Sequence, residues 1–386
     1  MKTIRIYETD SHARRLQARV LSCEEGENGW LVELDRTIFY PTGGGQPCDT
    51  GTLGGADVTE TLLRGETVLH RCTAALPVGA DVTGEIDWAR RLDLMQQHSG
   101  EHLVSGLIHA RFGYENVGFH LGADLVTIDF NGEVDEQALQ ELERAANEAV
   151  WADFAPHIWY PEPDELAHLP YRSKKALTGA VRLVQFGDID LCACCGTHVA
   201  HTGEIGLIKL FSTTHFRGGS RIEMACGGRA LAVLNALCAQ NRDISVRLSA
   251  KPVQTAAAVA RLASERTEAQ QRAAALEDRL FALLAQDGQT LRFEPPMPPE
   301  SVRRLADAMV RANGARCAVF AGQDGAWHYA MADRDGDLRG LTKRLNAALQ
   351  GRGGGKPGFV QGSLAASRAD IEAFFTAESC STPDPA

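Results

Sequence analysis

Two short motifs carry four zinc-binding side chains, and they constrain the fold because all four must reach one ion. His98 and His102 have the spacing of one helical turn, and Cys194 and His198 repeat that spacing about ninety residues later. Positions 87–97 contain no Gly or Pro and predict a helix with Asp87 as its N-cap. Both imidazoles lie on one face of that helix. A thiolate and a third imidazole from the later loop complete a predicted tetrahedral N₃S site for zinc.

The motifs alone leave the role of the metal open. A chain with 12 histidines contains some pairs at this spacing by chance, so the second motif is needed to make the first one specific. Four protein ligands are typical of a structural zinc site, whereas a catalytic site keeps one position for water or substrate. However, the ligands come from a helix and a distant loop, in a domain large enough to fold without the ion. Both roles therefore stay open on the residues themselves.

Length and composition indicate a globular protein of two or three domains. The chain has 386 residues, of which 44% are hydrophobic and 23% charged. No apolar run approaches the length of a membrane span, and the N-terminus is a short alternating strand rather than a signal peptide. Ten cysteines without a regular pairing pattern favour a reducing, cytoplasmic location. The net charge of −11 argues mildly against a nucleic-acid partner, although residues 334–356 carry a local excess of basic side chains.

Hydrophobic periodicity predicts an α+β protein built from consecutive regions. Short alternating segments predict a small N-terminal β-barrel, and the helices and strands that follow predict a layer that contains both zinc motifs. A Pro-rich linker then precedes a compact α/β domain. The predicted boundaries are 1–87 for the barrel, 88–248 for the zinc-containing domain, 249–293 for a connecting helix, 294–378 for the C-terminal domain and 379–386 for a frayed tail.

The same patterns predict individual elements. The helices within the zinc-containing domain are predicted at Trp88–Phe112, Glu136–Ala152 (with Asp135 as N-cap) and Arg229–Leu248. Strands that bear on the site are predicted at Thr37–Tyr40, Val181–Phe186 and Glu204–Phe211.

A long helix with a thin apolar seam is predicted after the zinc-containing domain. Residues 253–286 contain no Gly or Pro and are rich in Ala. Apolar side chains recur with alternating spacings of three and four, and Arg266 interrupts this seam. A helix that packs on its own protein is the favoured interpretation. A hairpin partner, or a homodimer through this helix or through the C-terminal domain, is the alternative.

Motifs along nearly the whole chain resemble the editing domains of alanyl-tRNA synthetase and the free-standing AlaX proteins. The family shares an HxxxH motif, a Cys-Gly-Gly-Thr-His-Val motif, a Gly-x-Arg-Ile-Glu strand, a Gly-rich N-terminal segment and a C-terminal DHHA1 domain. The matching segments here occur in the family's order: 39–51, Arg91 to Leu103, 194–206, Gly219 to Glu223 and Gly353 to Gly362.

One position departs from the family's pattern. This chain has Cys194-Cys195-Gly196 where the family has Cys-Gly-Gly. The spacing to His198 selects Cys194 as the zinc ligand, and a change of ligand to Cys195 stays open as the alternative.

The resemblance implies a trans-editing aminoacyl-tRNA deacylase with zinc in its pocket. Its expected substrate is tRNA(Ala) mischarged with serine, and secondly with glycine. Alanine lacks only the hydroxyl of serine, so an aminoacylation pocket rejects serine poorly and a second, hydrolytic site is needed. That second site should hydrogen-bond the hydroxyl. By resemblance Thr42 is the candidate for this contact, and the substrate-binding residues are Thr42, Gly43, Gly44, Gly45 and Gln46. Glu101 points away from the two histidines and is not assigned as a base.

The Gly-rich segment near the C-terminus predicts a loop that contacts phosphate. Arg352, Gly353, Gly354, Gly355 and Lys356 combine two cations with backbone N–H groups that no side chain covers. The segment is not a P-loop, because Pro357 follows the lysine. The resemblance to DHHA1 makes tRNA the expected ligand, and a flexible turn is the alternative.

Two other functions stay open. One is a similar zinc hydrolase that edits Ser-tRNA(Thr), since the editing domain of threonyl-tRNA synthetase shares both zinc motifs; the DHHA1-like end argues against it. The other is a noncatalytic RNA-binding protein with a structural zinc. Nothing resembles an ATP-activating synthetase core.

Overall fold

The computed structural model describes residues 3–173 and 179–380, and the chain divides into two compact units. The first unit is Met1–Asp243 and the second is Ile244–Ala386. The predicted α+β class is confirmed, with several sheets and a long helix. Residues 381–386 of the predicted frayed tail lie outside the described residues. Among the described residues, no helix combines the length and the apolar character needed to cross a membrane.

A closed barrel of six strands fills the first part of the first unit. Its strands alternate between buried and exposed side chains, and the buried ones include Val20, Val32, Leu34 and Leu53. The strands are paired in the order β2-β3-β7-β6-β5-β8, while β1 and β4 pair with each other. Their bounds are β1 Ile4–Arg5, β2 Arg15–Gly26, β3 Gly29–Leu34, β4 Arg36–Thr37, β5 Gly51–Leu53, β6 Ala56–Arg64, β7 Thr67–Cys72 and β8 Asp81–Ile86.

The predicted strand Thr37–Tyr40 is wrong beyond its first residue. The backbone N–H of Phe39 donates to the Thr37 hydroxyl, and the N–H of Tyr40 donates to the Asp49 carboxylate. These two backbone N–H groups therefore donate to side-chain oxygens instead of to the carbonyls of a neighbouring strand, and the chain leaves the sheet. Phe39 and Tyr40 are nevertheless buried, which explains their strand-like hydrophobicity.

The first helix, α1, spans Trp88–Phe112 as predicted, because its caps are encoded in the sequence. The Asp87 carboxylate accepts from the Arg90 N–H at 3.1 Å, and Gly113 ends the helix in a left-handed conformation (φ 70°). Helix α2, Glu136–Trp151, has the predicted N-cap at Asp135. The other helices of this region are α3 Pro163–Leu166 and α4 Gly227–Arg247.

Two sheets pack with these helices around one hydrophobic core. A four-stranded sheet has the order β14-β15-β10-β9, and a three-stranded sheet has the order β11-β12-β13. Their strands are β9 Asn116–Leu121, β10 Val126–Phe130, β11 His157–Trp159, β12 Leu183–Phe186, β13 Asp190–Ala193, β14 Ile208–Phe216 and β15 Gly219–Cys226.

The strand predicted at Glu204–Phe211 begins later than expected. Residues Thr202–Ile205 form a 3₁₀ turn, in which the Glu204 N–H donates to the His201 carbonyl. Gly206 has a positive φ of 79°, which turns the chain before β14 begins at Ile208.

The second unit contains the predicted long helix, followed by an α/β domain. Its sheet has the order β16-β17-β18-β20-β19, and β16 and β17 are parallel while the other pairs are antiparallel. Its elements are α5 Thr255–Leu284, β16 Leu291–Glu294, α6 Pro299–Asn313, β17 Cys317–Gln323, β18 Ala326–Ala332, α7 Arg339–Ala348, β19 Arg352–Lys356, β20 Phe359–Leu364 and α8 Arg368–Cys380.

The predicted Gly-rich loop is wrong, because residues Arg352–Lys356 form the edge strand β19. Each of its residues pairs with a residue of β20, and a tight turn at Pro357 and Gly358 connects the two strands. A Cβ on Gly353 would lie 2.3 Å from the Gln361 carbonyl oxygen, and one on Gly355 would lie 2.2 Å from that of Phe359. These glycines thus permit close strand pairing instead of loop flexibility. All five residues remain exposed.

Candidate metal centre

The four predicted ligands come together in the first unit. His98 and His102 lie one turn apart on α1, and Cys194 and His198 lie in the loop that follows β13. One ligand atom of each residue lies within 4.8 Å of those of the other three. The distance between His98 Nε2 and Cys194 Sγ is 3.4 Å, close to the ligand separation of about 3.5 Å that zinc bond lengths give in a tetrahedron. The arrangement therefore has the size of a metal site.

Each imidazole is held by a hydrogen-bond partner at its Nδ1 atom. This arrangement leaves the three Nε2 atoms for the interior of the cluster, as is usual for histidines that bind metal. The partners are Gln46 Oε1 for His98 at 2.9 Å, Asp190 Oδ2 for His102 at 2.7 Å and Ser99 Oγ for His198 at 3.2 Å.

One buried nitrogen of the cluster needs a partner that the protein does not provide. His198 Nε2 is buried and has no hydrogen-bond partner among the described residues. Burial lowers the pKa of His198 to about 3, so its imidazole is neutral and has a lone pair to donate. A bound cation would provide the partner that this buried atom lacks. The donor set thus fits a metal cation.

The electrostatics of Cys194 favour a thiolate. Burial raises its pKa, but His98, His198 and His102 outweigh burial and hold the pKa well below the ordinary value of a thiol. A thiolate is the form that binds metal.

The structure separates the two adjacent cysteines. Cys194 belongs to the cluster of four, whereas Cys195 is exposed and lies outside it. Burial of its sulfur within this loop, together with the nearby Cys194, raises the pKa of Cys195.

Gln46 connects the barrel to the metal cluster. Its side chain is fully buried, and its Oε1 atom accepts from the Thr197 N–H at 3.1 Å as well as from His98. Its Nε2 atom donates to the Thr197 hydroxyl at 2.8 Å. Gly196 completes this contact, since a Cβ there would lie 2.1 Å from His98 Cε1. The sequence placed Gln46 among the substrate-binding residues. In the structure its side chain contacts His98, one of the four candidate metal ligands.

The turn formed by Gly43, Gly44 and Gly45 lies beside the cluster. Gly44 and Gly45 have positive φ angles of 58° and 84°, and a Cβ on Gly45 would lie 2.6 Å from the Phe119 ring. Phe119 stacks on His98 with 5.6 Å between ring centroids.

Thr42 precedes this turn and is exposed. Its hydroxyl oxygen accepts from the Cys48 N–H at 3.2 Å, which leaves the hydroxyl proton for another acceptor. One hydrogen bond therefore holds the Thr42 hydroxyl oxygen, while the hydroxyl proton can still be donated.

Buried charges that the sequence did not single out support the cluster. The Asp190 carboxylate accepts from His102 and also from Arg172 at 2.8 Å. The Arg182 guanidinium donates to the carbonyls of Cys194 and Gly196, both at 2.9 Å, and so holds the ligand loop. These residues have no characteristic spacing in the sequence, and only Asp190 lies on a strand, at the start of β13.

Glu101 is bonded within the core. Its Oε1 atom accepts from the Ser105 hydroxyl at 2.7 Å and from Asn116 Nδ2 at 2.5 Å. This carboxylate oxygen is thus occupied by two hydrogen bonds, and Glu101 is not proposed as a general base.

The residues proposed for phosphate contact belong to the second unit. Arg352 and Lys356 lie at the two ends of β19, with Gly353, Gly354 and Gly355 between them.

Comparison with known proteins shows what this chain is similar to. Residues 181–223 match the family described as threonyl and alanyl tRNA synthetase second additional domain, and residues 7–90 match the class II (A) tRNA synthetases. The alanyl-tRNA editing protein AlaX-L of Pyrococcus horikoshii is 32% identical over 241 residues, covering 60% of this chain and 60% of that protein. The alanyl-tRNA editing protein Aarsd1 of Danio rerio is 26% identical over 391 residues, covering 94% of this chain and 95% of that protein.

A longer protein matches as well. The alanine–tRNA ligase of Halobacterium salinarum is 31% identical over 370 residues, which cover 91% of this chain but 36% of the ligase. In its matched segments and in its His/Cys cluster, the chain is similar to proteins related to the editing region of alanyl-tRNA synthetase. The similarity to the alanyl-tRNA editing protein Aarsd1 of Danio rerio covers nearly the whole length of the chain, and the similarity to AlaX-L covers 60% of it.

Proposed function

We propose that this protein is a zinc-dependent deacylase that hydrolyses Ser-tRNA(Ala), and also Gly-tRNA(Ala), in the cytoplasm. The observation that carries the proposal is the cluster of His98, His102, Cys194 and His198, with its unpaired buried Nε2 atom. The similarity to alanyl-tRNA editing proteins supports the choice of substrate.

Zinc is the metal that fits the proposed ligands best. Three imidazoles and one thiolate form an N₃S set, which is typical of zinc rather than of calcium or magnesium. When bound, zinc supplies a Lewis acid that can hold the substrate's amino group or polarise a water molecule. Gln46, Asp190 and Ser99 fix the imidazole orientations that such an ion requires.

The Thr42 hydroxyl is proposed to recognise the serine side chain. Serine and alanine differ only by a hydroxyl group, and a site that hydrogen-bonds this group discriminates strongly against the substrate that lacks it. Thr42 directly precedes the turn at 43–45, whose Gly45 packs against Phe119 next to His98, and its hydroxyl proton is not used in the contact with Cys48.

Replacing Thr42 by Val is expected to narrow the preference for serine over alanine substrates by about two- to tenfold. Valine keeps the shape of the side chain but cannot donate a hydrogen bond, and one such bond is worth about 0.5–1.5 kcal/mol. Rates of deacylation of Ser-tRNA(Ala) and Ala-tRNA(Ala) by the variant measure the effect. Thr42→Ser, which keeps the hydroxyl, is the matched control, and an unchanged preference in Thr42→Val would exclude Thr42 from recognition.

The domain assignment follows from the proposal. The barrel (1–87) and the zinc-containing region (88–248) form the editing part, and α5 belongs to the connecting region 249–293. The α/β domain at 294–378 is proposed to be the DHHA1-like part that binds tRNA. Arg352 and Lys356 lie on the edge strand β19 with three exposed glycines between them, a combination that suits phosphate oxygens.

Replacing both Arg352 and Lys356 by Ala is expected to weaken tRNA binding without a change in zinc content. Each lost phosphate contact reduces the slope of log affinity against log salt by about 0.7–0.9, so the double change reduces it by roughly 1.4–1.8. Binding of intact tRNA at several salt concentrations measures this slope. The control is Arg339→Ala with Arg344→Ala, because those cations are paired with Asp337 and Glu378. Equal slopes for the wild type and the Arg352/Lys356 variant would show that β19 is purely structural.

A panel of charged tRNAs tests the function. We expect rapid hydrolysis of Ser-tRNA(Ala), measurable hydrolysis of Gly-tRNA(Ala) and little hydrolysis of Ala-tRNA(Ala). Faster hydrolysis of Ser-tRNA(Thr) than of Ser-tRNA(Ala) would favour threonine-tRNA editing instead. The absence of hydrolysis on every substrate by zinc-loaded protein would favour an RNA-binding protein with a structural metal.

A further inference from the structure

A closed turn joins the two functional parts of the candidate site. The Gly43 N–H donates to the Gln46 carbonyl at 3.1 Å, and the Gln46 N–H donates back to the Gly43 carbonyl at 2.9 Å. Thr42, the proposed contact for serine, directly precedes this turn, and Gln46, whose side chain contacts His98, ends it. A displacement of the turn would therefore move the substrate contact and the partner of a metal ligand together.

The Tyr40 hydroxyl holds this turn. It donates to the Gly43 carbonyl at 2.9 Å, so that this oxygen accepts from the side chain as well as from within the turn. A Cβ on Gly43 would lie 3.4 Å from the hydroxyl oxygen and one on Gly44 would lie 3.8 Å from it, which places the hydroxyl directly against the turn. The Thr42 N–H donates to the Thr61 carbonyl at 3.3 Å, a longer and weaker anchor.

Tyr40 is itself fixed by the surrounding protein. Its side chain is buried, and its ring packs edge-on against Tyr7 with 5.3 Å between centroids. Its N–H donates to the Asp49 carboxylate at 2.6 Å, and its carbonyl accepts from the Asp49 N–H at 2.9 Å. Asp49 in turn forms the buried salt bridge with Arg91 of α1. The hydroxyl is therefore presented to the turn from a rigid base.

The surroundings of Tyr40 also keep its hydroxyl protonated. Burial raises the pKa of Tyr40 well above its ordinary value, and the nearby Cys194 and Cys195 act in the same direction. At neutral pH the group is therefore a hydrogen-bond donor, as the contact with the Gly43 carbonyl requires.

We infer that Tyr40 is a positioning residue that acts through this turn on both Thr42 and His98. The inference rests on the proposed hydrolysis of Ser-tRNA(Ala). Without the hydroxyl, the Gly43 carbonyl keeps only its bond within the turn, and the two glycines at the centre of the turn allow it to shift. The serine hydroxyl then meets a displaced Thr42, and Gln46 holds His98 less firmly.

Tyr40→Phe tests the effect on substrate recognition, because it removes one oxygen and keeps the ring. We expect the ratio of the Ser-tRNA(Ala) and Ala-tRNA(Ala) deacylation rates to fall by about two- to tenfold, as for the loss of one hydrogen bond. In a Thr42→Val background the same change should lower this ratio no further, because both changes remove the same contact. Single-turnover rates of the wild type, the two single variants and the double variant measure the ratio. An unchanged ratio in Tyr40→Phe, or an additive loss in the double variant, would overturn the inference.

Cobalt binding tests the effect on the metal ligand without any substrate. Tyr40→Phe should change the visible absorption of the cobalt-loaded protein and weaken cobalt binding by about two- to tenfold, less than the 10–100-fold expected for a direct partner of a ligand. In a Gln46→Leu background it should change neither further.

Tyr7→Phe is the matched control. Tyr7 is equally buried and packs on the Tyr40 ring, but within the described part of the chain no hydrogen bond joins its hydroxyl to residues 42–46. This variant should keep the wild-type cobalt spectrum and rate ratio, and both variants should keep the wild-type circular dichroism. Equal cobalt spectra for Tyr40→Phe and the wild type would overturn the inference. Absent hydrolysis by the zinc-loaded wild type would instead contradict the proposed function, and the cobalt spectra would then decide on Tyr40 alone.

Discussion

Cys194→Ala is expected to lose its metal and, with it, hydrolysis of Ser-tRNA(Ala). Even a hydrogen-bond partner of a ligand contributes about 10–100-fold to metal affinity, so removal of a ligand itself should weaken binding by more than about 100-fold. Loss of a catalytic metal removes several kcal/mol of transition-state stabilisation, and the rate of deacylation should fall on the order of 10³-fold. Metal analysis after dialysis and single-turnover deacylation measure the two effects.

The adjacent cysteine provides the matched control. Cys195 is exposed and lies outside the cluster, so Cys195→Ala should retain one zinc per chain and the wild-type rate. Full zinc content in Cys194→Ala together with loss in Cys195→Ala would contradict the proposed ligand set.

Arg91→Leu is expected to lower the free energy of unfolding by about 3–5 kcal/mol, the cost of leaving a buried charge without its partner. The Arg91 side chain is fully buried and forms a salt bridge with Asp49, with Nε at 3.0 and 3.1 Å from the two carboxylate oxygens. It also donates to the carbonyls of Ser11 and Ile38 at 2.7 and 2.6 Å. This one residue therefore joins α1 to the barrel and to the N-terminal segment. Urea unfolding followed by circular dichroism measures the change.

Two variants make this test specific. Arg36→Leu breaks an exposed pair with Asp35 and should cost no more than about 1 kcal/mol. Arg91→Leu combined with Asp49→Leu removes both buried charges and should recover part of the loss. Equal costs for the buried and exposed single variants would contradict the assigned role of Arg91.

The sequence predicted the elements whose ends are determined locally. Helix α1 was predicted from the Asp87 cap to Phe112, because an N-cap and a C-terminal glycine act within a few residues. Helical spacing likewise placed His98 and His102 on one face of α1, whereas Cys194 and His198 were predicted from a second motif in a loop. Their common location in the structure agrees with that prediction.

Long-range contacts account for what the sequence did not reveal. The strand β19 resembled a loop because consecutive glycines are usually found in turns, whereas here they allow close pairing with β20. Asp190 is separated from His102 by 88 residues, so no local pattern joins the two side chains. Gln46 was grouped with the substrate-binding residues by resemblance to the family's Gly-rich segment, and only its burial against Thr197 and His98 shows what it contacts.

The dependence of deacylation on zinc tests the central claim most directly. Protein stripped of metal is titrated with zinc, and the initial rate of Ser-tRNA(Ala) hydrolysis is measured at each addition, with Ala-tRNA(Ala) as the control substrate. The proposed site predicts a rate that rises linearly and reaches its maximum at one zinc per chain, while Ala-tRNA(Ala) stays largely intact. Full hydrolysis of Ser-tRNA(Ala) by the metal-free protein, or no increase when the site is filled, would contradict the account.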